Sequence, residues 1–142
     1  MKLKVRRVDP RAVMPSYAYP GDAGMDLTVV GRATLAPGEA VDIPTGLRIE
    51  LPEGYWGRIT GRSSTMRKRG LLVNEGVIDQ GYRGELFVYV KNLNGHDIFV
   101  ERGERLAQLI LAPIVRMEIE EVGWIADSER GEKGFGSSGL TS

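Results

Sequence analysis

The chain has 142 residues, enough for one domain with its own apolar core, and nineteen Lys and Arg balance nineteen Asp and Glu. Zero formal charge argues against a nucleic-acid coat protein. The lack of cysteine excludes a disulfide framework, a thiol nucleophile and a cysteine zinc site, and a single histidine, His96, leaves little for histidine triads or metal clusters.

Turns are frequent. Nineteen glycines make up about 13% of the chain against an ordinary ~7%, and they fall beside Pro, Asn or a charge. Short strand-like runs lie between them. Leu3 and Val5 alternate with basic residues, as do Val41-Asp-Ile43 and Leu47-Arg-Ile49-Glu-Leu51 with polar ones. The one helix expected is Ser63-Ser-Thr-Met-Arg-Lys-Arg-Gly70. It opens on hydroxyl residues suited to an N-cap, carries cations in its last turn and closes on glycine. Leu86-Phe-Val-Tyr-Val90 is a denser run, suited to a strand buried on both faces; Leu106 to Val115 is another, and Met117-Glu-Ile119-Glu alternates again. Strands with turn signals every 8–12 residues or so predict an all-β sandwich, jelly roll or barrel. No apolar run follows Trp124-Ile125, so residues 127–142 are expected to be a flexible arm behind a β domain over 1–126. No apolar stretch approaches the roughly 20 residues of a membrane span. The segment M-K-L-K-V-R-R-V-D-P lacks the apolar core of a secretion signal. A soluble cytoplasmic protein is expected, with neither membrane nor nucleic acid as partner.

Five polar stretches interrupt this pattern. In Pro20-Gly-Asp-Ala-Gly24-Met-Asp26, two carboxylates four apart suit a magnesium ion held through waters, or simply an Asp/Gly turn. In Gly61-Arg62-Ser63-Ser64, a cation and two hydroxyls stand at the helix start, where phosphate meets free N–H groups. An ordinary serine cap reads the same way. In Asn74-Glu-Gly-Val-Ile-Asp79-Gln-Gly-Tyr82-Arg-Gly84, two strand-like runs flank a turn-rich connection, which predicts a hairpin with Asp79 beside its tip. Asp79 is either a turn former or a base that orients water, and Tyr82 can pack on a sugar. Gln108 is a polar residue inside an apolar run, and its partner is backbone or a ligand phosphate.

The fifth stretch is Arg130 to Ser142. Gly134-Phe-Gly-Ser-Ser-Gly139 formally matches G-x-G-x-x-G, and Gly131 to Ser138 nearly matches a Walker A loop. Both motifs need a following helix, and only three residues remain after Gly139. A solubilising tail is the plain alternative. Against it, Phe135 can cover a flat ring, while Arg130, Lys133, Ser137 and Ser138 can meet anionic oxygens.

Taken in order, A-G-M-D-L, G-R-S-S, G-V-I-D-x-G-Y-R-G, R-x-A-Q-L-I and R-G-x-x-G-F-G-S-S-G resemble the five motifs of the trimeric dUTPases, from Ala23 to Gly139. The resemblance implies a distorted β jelly roll, the dUTPase-like β-clip, with one short helix and a flexible C-terminal arm. It implies a homotrimer whose three active sites each draw on all three chains. The implied reaction is dUTP plus water giving dUMP and pyrophosphate, with Mg²⁺ on the phosphates. That reaction keeps uracil out of DNA and supplies dUMP for thymidylate synthesis. Carried over, Asp79 is the base that directs water at the α-phosphorus. Gly76, Val77 and Ile78 read uracil through their backbone, and Tyr82 packs on deoxyribose. Arg62, Ser63, Ser64 and Gln108 hold phosphate. Asp26 is tied to the metal through water. Arg130, Gly136, Ser137 and Ser138 close on the far phosphate, and Phe135 stacks on the base.

The chain departs from the family where Val73 stands six places before Asp79, a place where many bacterial members carry asparagine; Asn74 is five before. Ser138 stands where threonine is frequent. Three rivals remain. A dCTP deaminase on the same fold needs a glutamate where this chain has Tyr89, and lacks the arm. A non-catalytic dUTP-binding regulator would not need the full set of candidate catalytic residues. A jelly-roll sugar-binding module gives no reason for Asp79, Arg62 and Arg130 to converge on phosphate.

Overall fold

Two runs that read separately in the sequence join into one long strand, β4 (Ala40–Glu50), in the computed structural model, which describes residues 1–136. Thr45 and Gly46 make the join. The register between β4 and its neighbour β8 (Glu85–Asn92) shifts between Pro44 and Arg48, a bulge that tolerates a proline inside a central strand. Gly46 has φ +72°, and a Cβ there would lie 2.9 Å from the Cβ of Asp9 and 3.0 Å from that of Ala12. Only glycine fits. The bulge would leave the Leu86 carbonyl without a ladder partner; the buried Thr45 hydroxyl donates to it at 2.7 Å.

Strand β4 anchors a sheet of order β1-β4-β8-β6, with β1 (Lys4–Arg7) and β6 (Leu71–Val73) at its edges. A second sheet runs β2-β10-β5-β7, formed by β2 (Gly24–Thr28), β10 (Arg105–Pro113), β5 (Tyr55–Gly61) and β7 (Gly76–Ile78). A two-stranded ribbon pairs β3 (Ala33–Leu35) with β9 (Ile98–Val100). All pairings are antiparallel. One apolar cluster takes Ile43, Leu47, Leu86, Val88 and Val90 from the first sheet, Leu27 and Leu109 from the second, and Leu35 and Val100 from the ribbon. The all-β expectation holds: ten strands and one short helix are present among the described residues, and neither four-stranded sheet closes into a barrel.

Three expectations need correction. Strand β8 is buried on one face only: Leu86, Val88 and Val90 point inward, while Phe87 and Tyr89 are 44% and 45% exposed. Apolar residues on both faces hid its period of two. Met117 and Ile119 form no strand; they are 78% and 89% exposed, and among the described residues no strand pairs with their segment. The helix α1 (Ser63–Arg69) ends as expected on left-handed Gly70, but its N-cap is Arg62 and no side chain caps it. The third hydroxyl, Thr65, is buried and donates to the Leu106 carbonyl at 2.8 Å, tying the helix to β10.

Asn92, fully buried, closes one end of the core. Its amide donates to the carbonyls of Leu35 and His96 at 2.9 Å each and accepts from the Asn94 N–H at 2.8 Å. Asn92→Ala is expected to cost about 3 kcal/mol, because it orphans several buried backbone groups at once. Urea unfolding measures it. A loss below about 1 kcal/mol would mean that water replaces the amide.

Candidate active site

Strand register brings the first group of candidates together. On one side of β10, Gln108 lies opposite Asp26 of β2; on the other it lies opposite Thr60 of β5, one residue before Gly61 and two before Arg62. A bulge in β10 between Arg105 and Ala107 sets this alignment. Asp26, Arg62, Ser63 and Gln108 therefore line one cleft of about 440 Å³, together with Asp22 and Tyr19. Ser64 opens instead on an adjoining groove that shares Arg62 and includes Lys68, Arg69 and Arg105.

The cations gather in the adjoining groove, where Arg62, Lys68, Arg69 and Arg105 meet one acid, Glu104. The Asp26 side chain is 14% exposed and lies between two guanidinium groups, Arg62 Nε at 3.2 Å and Arg105 Nη1 at 3.6 Å. One carboxylate thus faces two cations, of which Arg105 is the more exposed and lines the adjoining groove. Arg62 also donates through Nη1 to the Arg105 carbonyl at 2.9 Å, which fixes its plane and leaves Nη2 without a partner among the described residues. Gln108 donates to the Gly61 carbonyl at 3.2 Å, and its Oε1 lies 2.4 Å from where a Cβ on residue 24 would stand. Gly24 is there for space: any side chain would displace the Gln108 amide.

Among the described residues, no three His, Cys, Asp or Glu side chains come together as a metal cage. Asp22 and Asp26 share the cleft, but an Asp22 oxygen accepts the Tyr19 N–H at 2.9 Å. This donor set does not fit a protein-held metal.

The second group forms a separate cleft of about 230 Å³ containing Gly76, Val77, Ile78, Asp79, Tyr82 and Phe87. The expected hairpin exists as β6 paired with β8, and its long connection carries β7 across to the other sheet. There β7 pairs only with β5 and forms the sheet edge, so one row of its N–H and C=O groups faces away from any strand. Asp79 follows directly, in a turn closed by the Tyr82 N–H to the Asp79 carbonyl at 3.0 Å. The Asp79 carboxylate is exposed and makes no hydrogen bond or ion pair with the described residues. Tyr82 folds back so that its hydroxyl donates to the Glu85 carbonyl at 2.8 Å. A Cβ on Gly84 would meet that hydroxyl at 2.3 Å, so this glycine too is spatial. Asn74 lies outside the cleft; its N–H extends the β6–β8 ladder to the Tyr89 carbonyl.

The arm supplies the third group, and as far as Gly136 it lines neither cleft. Arg130 donates to the Lys133 carbonyl at 2.6 Å, and Phe135 is fully exposed with φ 48°. Gly136 follows with φ +89°, and Ser137 and Ser138 lie outside the described residues. The two clefts share no lining residue. Sequence reasoning missed Arg105 as the second cation on Asp26, although the R-x-A-Q motif contains it. It also missed the spatial role of Gly24, which no pattern in one sequence reveals.

A family model described as dUTPase matches residues 11–139. The deoxyuridine 5'-triphosphate nucleotidohydrolase of Gloeothece citriformis is 41% identical, covering 100% of this chain and 99% of its own. That of Streptomyces coelicolor is 44% identical, covering 98% and 78%. Among solved structures, the dUTPase of Staphylococcus bacteriophage 80alpha with dUPNHPP superposes with a TM-score of 0.91 at 34% identity, covering 98% and 99%.

Proposed function

The chain belongs to the dUTPase family, and from that membership we propose that it hydrolyses dUTP to dUMP and pyrophosphate. The observation that carries this reading is the unpartnered Asp79 carboxylate at the end of an edge strand. Water held by Asp79 attacks the α-phosphorus. The new P–O bond forms as the bond to the bridging α–β oxygen breaks, pyrophosphate leaves with that oxygen, and Asp79 takes the water's proton. The outer edge of β7 reads uracil: Gly76, Val77 and Ile78 present backbone donors and acceptors in alternation, and cytosine reverses the pattern at two positions. Tyr82 packs on deoxyribose. Arg62, Ser63, Ser64 and Gln108 hold the phosphates, and the cations of the groove that adjoins them stabilise charge that builds on the leaving group. When bound, Mg²⁺ would neutralise phosphate charge, with Asp26 receiving its waters.

The separation of base-side and phosphate-side clefts on one chain supports a shared site, in which a homotrimer brings one half of each from different copies. Val115, Met117, Ile119, Trp124 and Ile125 are each more than 75% exposed, which suits burial against a neighbouring copy. The arm, residues 127–142, would then close over a neighbour's site, with Arg130, Gly136, Ser137 and Ser138 on the far phosphate and Phe135 over uracil. None of the described helices is long and apolar enough to cross a membrane.

Pyrophosphate release from dUTP, dCTP, dTTP and UTP tests the reading. Release from dUTP alone is expected, and comparable rates on all four would sink it. Ammonia release from dCTP at a rate matching dUTP hydrolysis would favour the deaminase instead.

A further inference from the structure

Arg83 follows Tyr82 and reaches neither phosphate nor base cleft, yet its guanidinium faces back onto the turn that carries Asp79. Its Nη1 donates to the Gln80 carbonyl at 3.0 Å and to the Tyr82 carbonyl at 3.2 Å. These two carbonyls belong to the turn closed by the Tyr82 N–H to the Asp79 carbonyl. One nitrogen thus clamps both sides of a three-residue step. The other, Nη2, lies 3.9 Å from Glu50 Oε1 at the end of β4. Glu50 is itself paired with Lys4 of β1 at 3.1 Å, and that contact holds its carboxyl below the usual carboxylate range, so it stays ionised as a partner for Arg83. A chain of contacts runs from the rigid β1–β4 edge, through Glu50 and Arg83, to the backbone of the turn. A second tether meets it: the Gly54 N–H, in the turn between β4 and β5, donates to the Gln80 side chain at 2.8 Å.

We infer that Arg83 is a positioning residue for the reaction: its guanidinium, oriented by Glu50, fixes the Asp79–Tyr82 turn so that the water on Asp79 is held in one geometry. The need for it is physical. The turn is exposed and short, it leaves the sheet at the last residue of β7, and Asp79 lacks any side-chain contact to hold its carboxylate. A planar fork that binds two carbonyls and an ion pair together is a task for arginine rather than lysine. Angular error at the attacking water lowers the rate without changing how tightly the nucleotide binds. The inference rests on the dUTPase reading of Asp79.

Steady-state kinetics of Arg83→Gln with dUTP test it. The expected result is a kcat lower by roughly tenfold with KM within about twofold of the unchanged chain. The thermal midpoint should be unchanged, and hydrogen exchange at the Tyr82 amide faster. Arg83→Lys should recover part of the rate. Glu50→Gln should lose less than Arg83→Gln, and the double variant should be no slower than Arg83→Gln alone, because Glu50 acts through Arg83. A raised KM at constant kcat would overturn the inference by making Arg83 a substrate contact. Unchanged kcat, or a rate loss without faster exchange at Tyr82, would overturn it too. If Arg83→Gln does not fold, Glu50→Gln with the same two readouts decides. An unchanged chain that leaves dUTP intact removes the dUTPase reading and this inference together; an active one with an indifferent Arg83→Gln removes only the inference.

Discussion

Asp79→Asn is expected to bind dUTP as the unchanged chain does and to hydrolyse it about 10³-fold more slowly. Losing a general base typically costs 10²–10⁴-fold, and the other acid lining the cleft, Glu85, stands on β8 rather than on the turn that carries Asp79. Glu75, the acid before β7, is ion-paired with Arg58, and the next after Asp79, Glu85, lies at the start of β8. Binding should survive because the groups proposed to grip the nucleotide lie elsewhere. In the proposal the edge of β7 reads the base through backbone, and the phosphate ligands line two adjoining grooves that do not include Asp79. Asparagine also keeps the shape of aspartate, so the turn should persist. Calorimetric binding of dUTP together with single-turnover hydrolysis separates the two effects. Near-normal turnover would remove Asp79 from its role; lost binding with the rate on bound nucleotide retained would make it a ligand instead.

The sequence disclosed the parts of this site more readily than their assembly. Arg62, Gln108 and Asp26 stand out as polar residues in apolar or turn-rich surroundings, and each was legible alone. Their meeting depends on register, with Gln108 opposite Asp26 across β10 and β2, and a single chain's pattern does not encode which strands pair. Strand β5 was not singled out in the sequence, and two of its seven residues are glycine. In the fold, Gly57 is a strand residue kept small by the Leu109 side chain, 3.2 Å from where a Cβ would be. Strands β3 and β9 have three residues each, too few for any period. The opposite error came at Met117 to Glu120, where a good alternation forms no strand within the chain. A pattern records what a segment is suited to, and this segment's partner is proposed to be another copy.

Deleting residues 130–142 is expected to leave folding intact and to lower kcat/KM by at least ~10²-fold, the cost typical of losing one transition-state donor, with the stacking ring lost as well. Stability should hold because the arm contributes nothing to the core. Residues 127–133 are exposed, and among the described residues the arm's hydrogen bonds run within it, from Arg130 to the Lys133 carbonyl, from the Gly131 N–H to Ser128 Oγ and from the Lys133 N–H to the Arg130 carbonyl. Activity should fall because the open cleft admits bulk water and the far phosphate loses the Arg130 guanidinium. A truncated chain that turns over dUTP at the full rate would reduce the arm to a tail. The truncation also tests sharing when combined with Asp79→Asn. Each variant alone is nearly inactive, one for want of the base and the other for want of the arm. If base and arm come from different copies, refolding the two together builds some sites with Asp79 from the truncated chain and an arm from the Asp79→Asn chain, and hydrolysis returns. If each chain completes its own site, every site in the mixture lacks one or the other, and the mixture stays as inactive as its components.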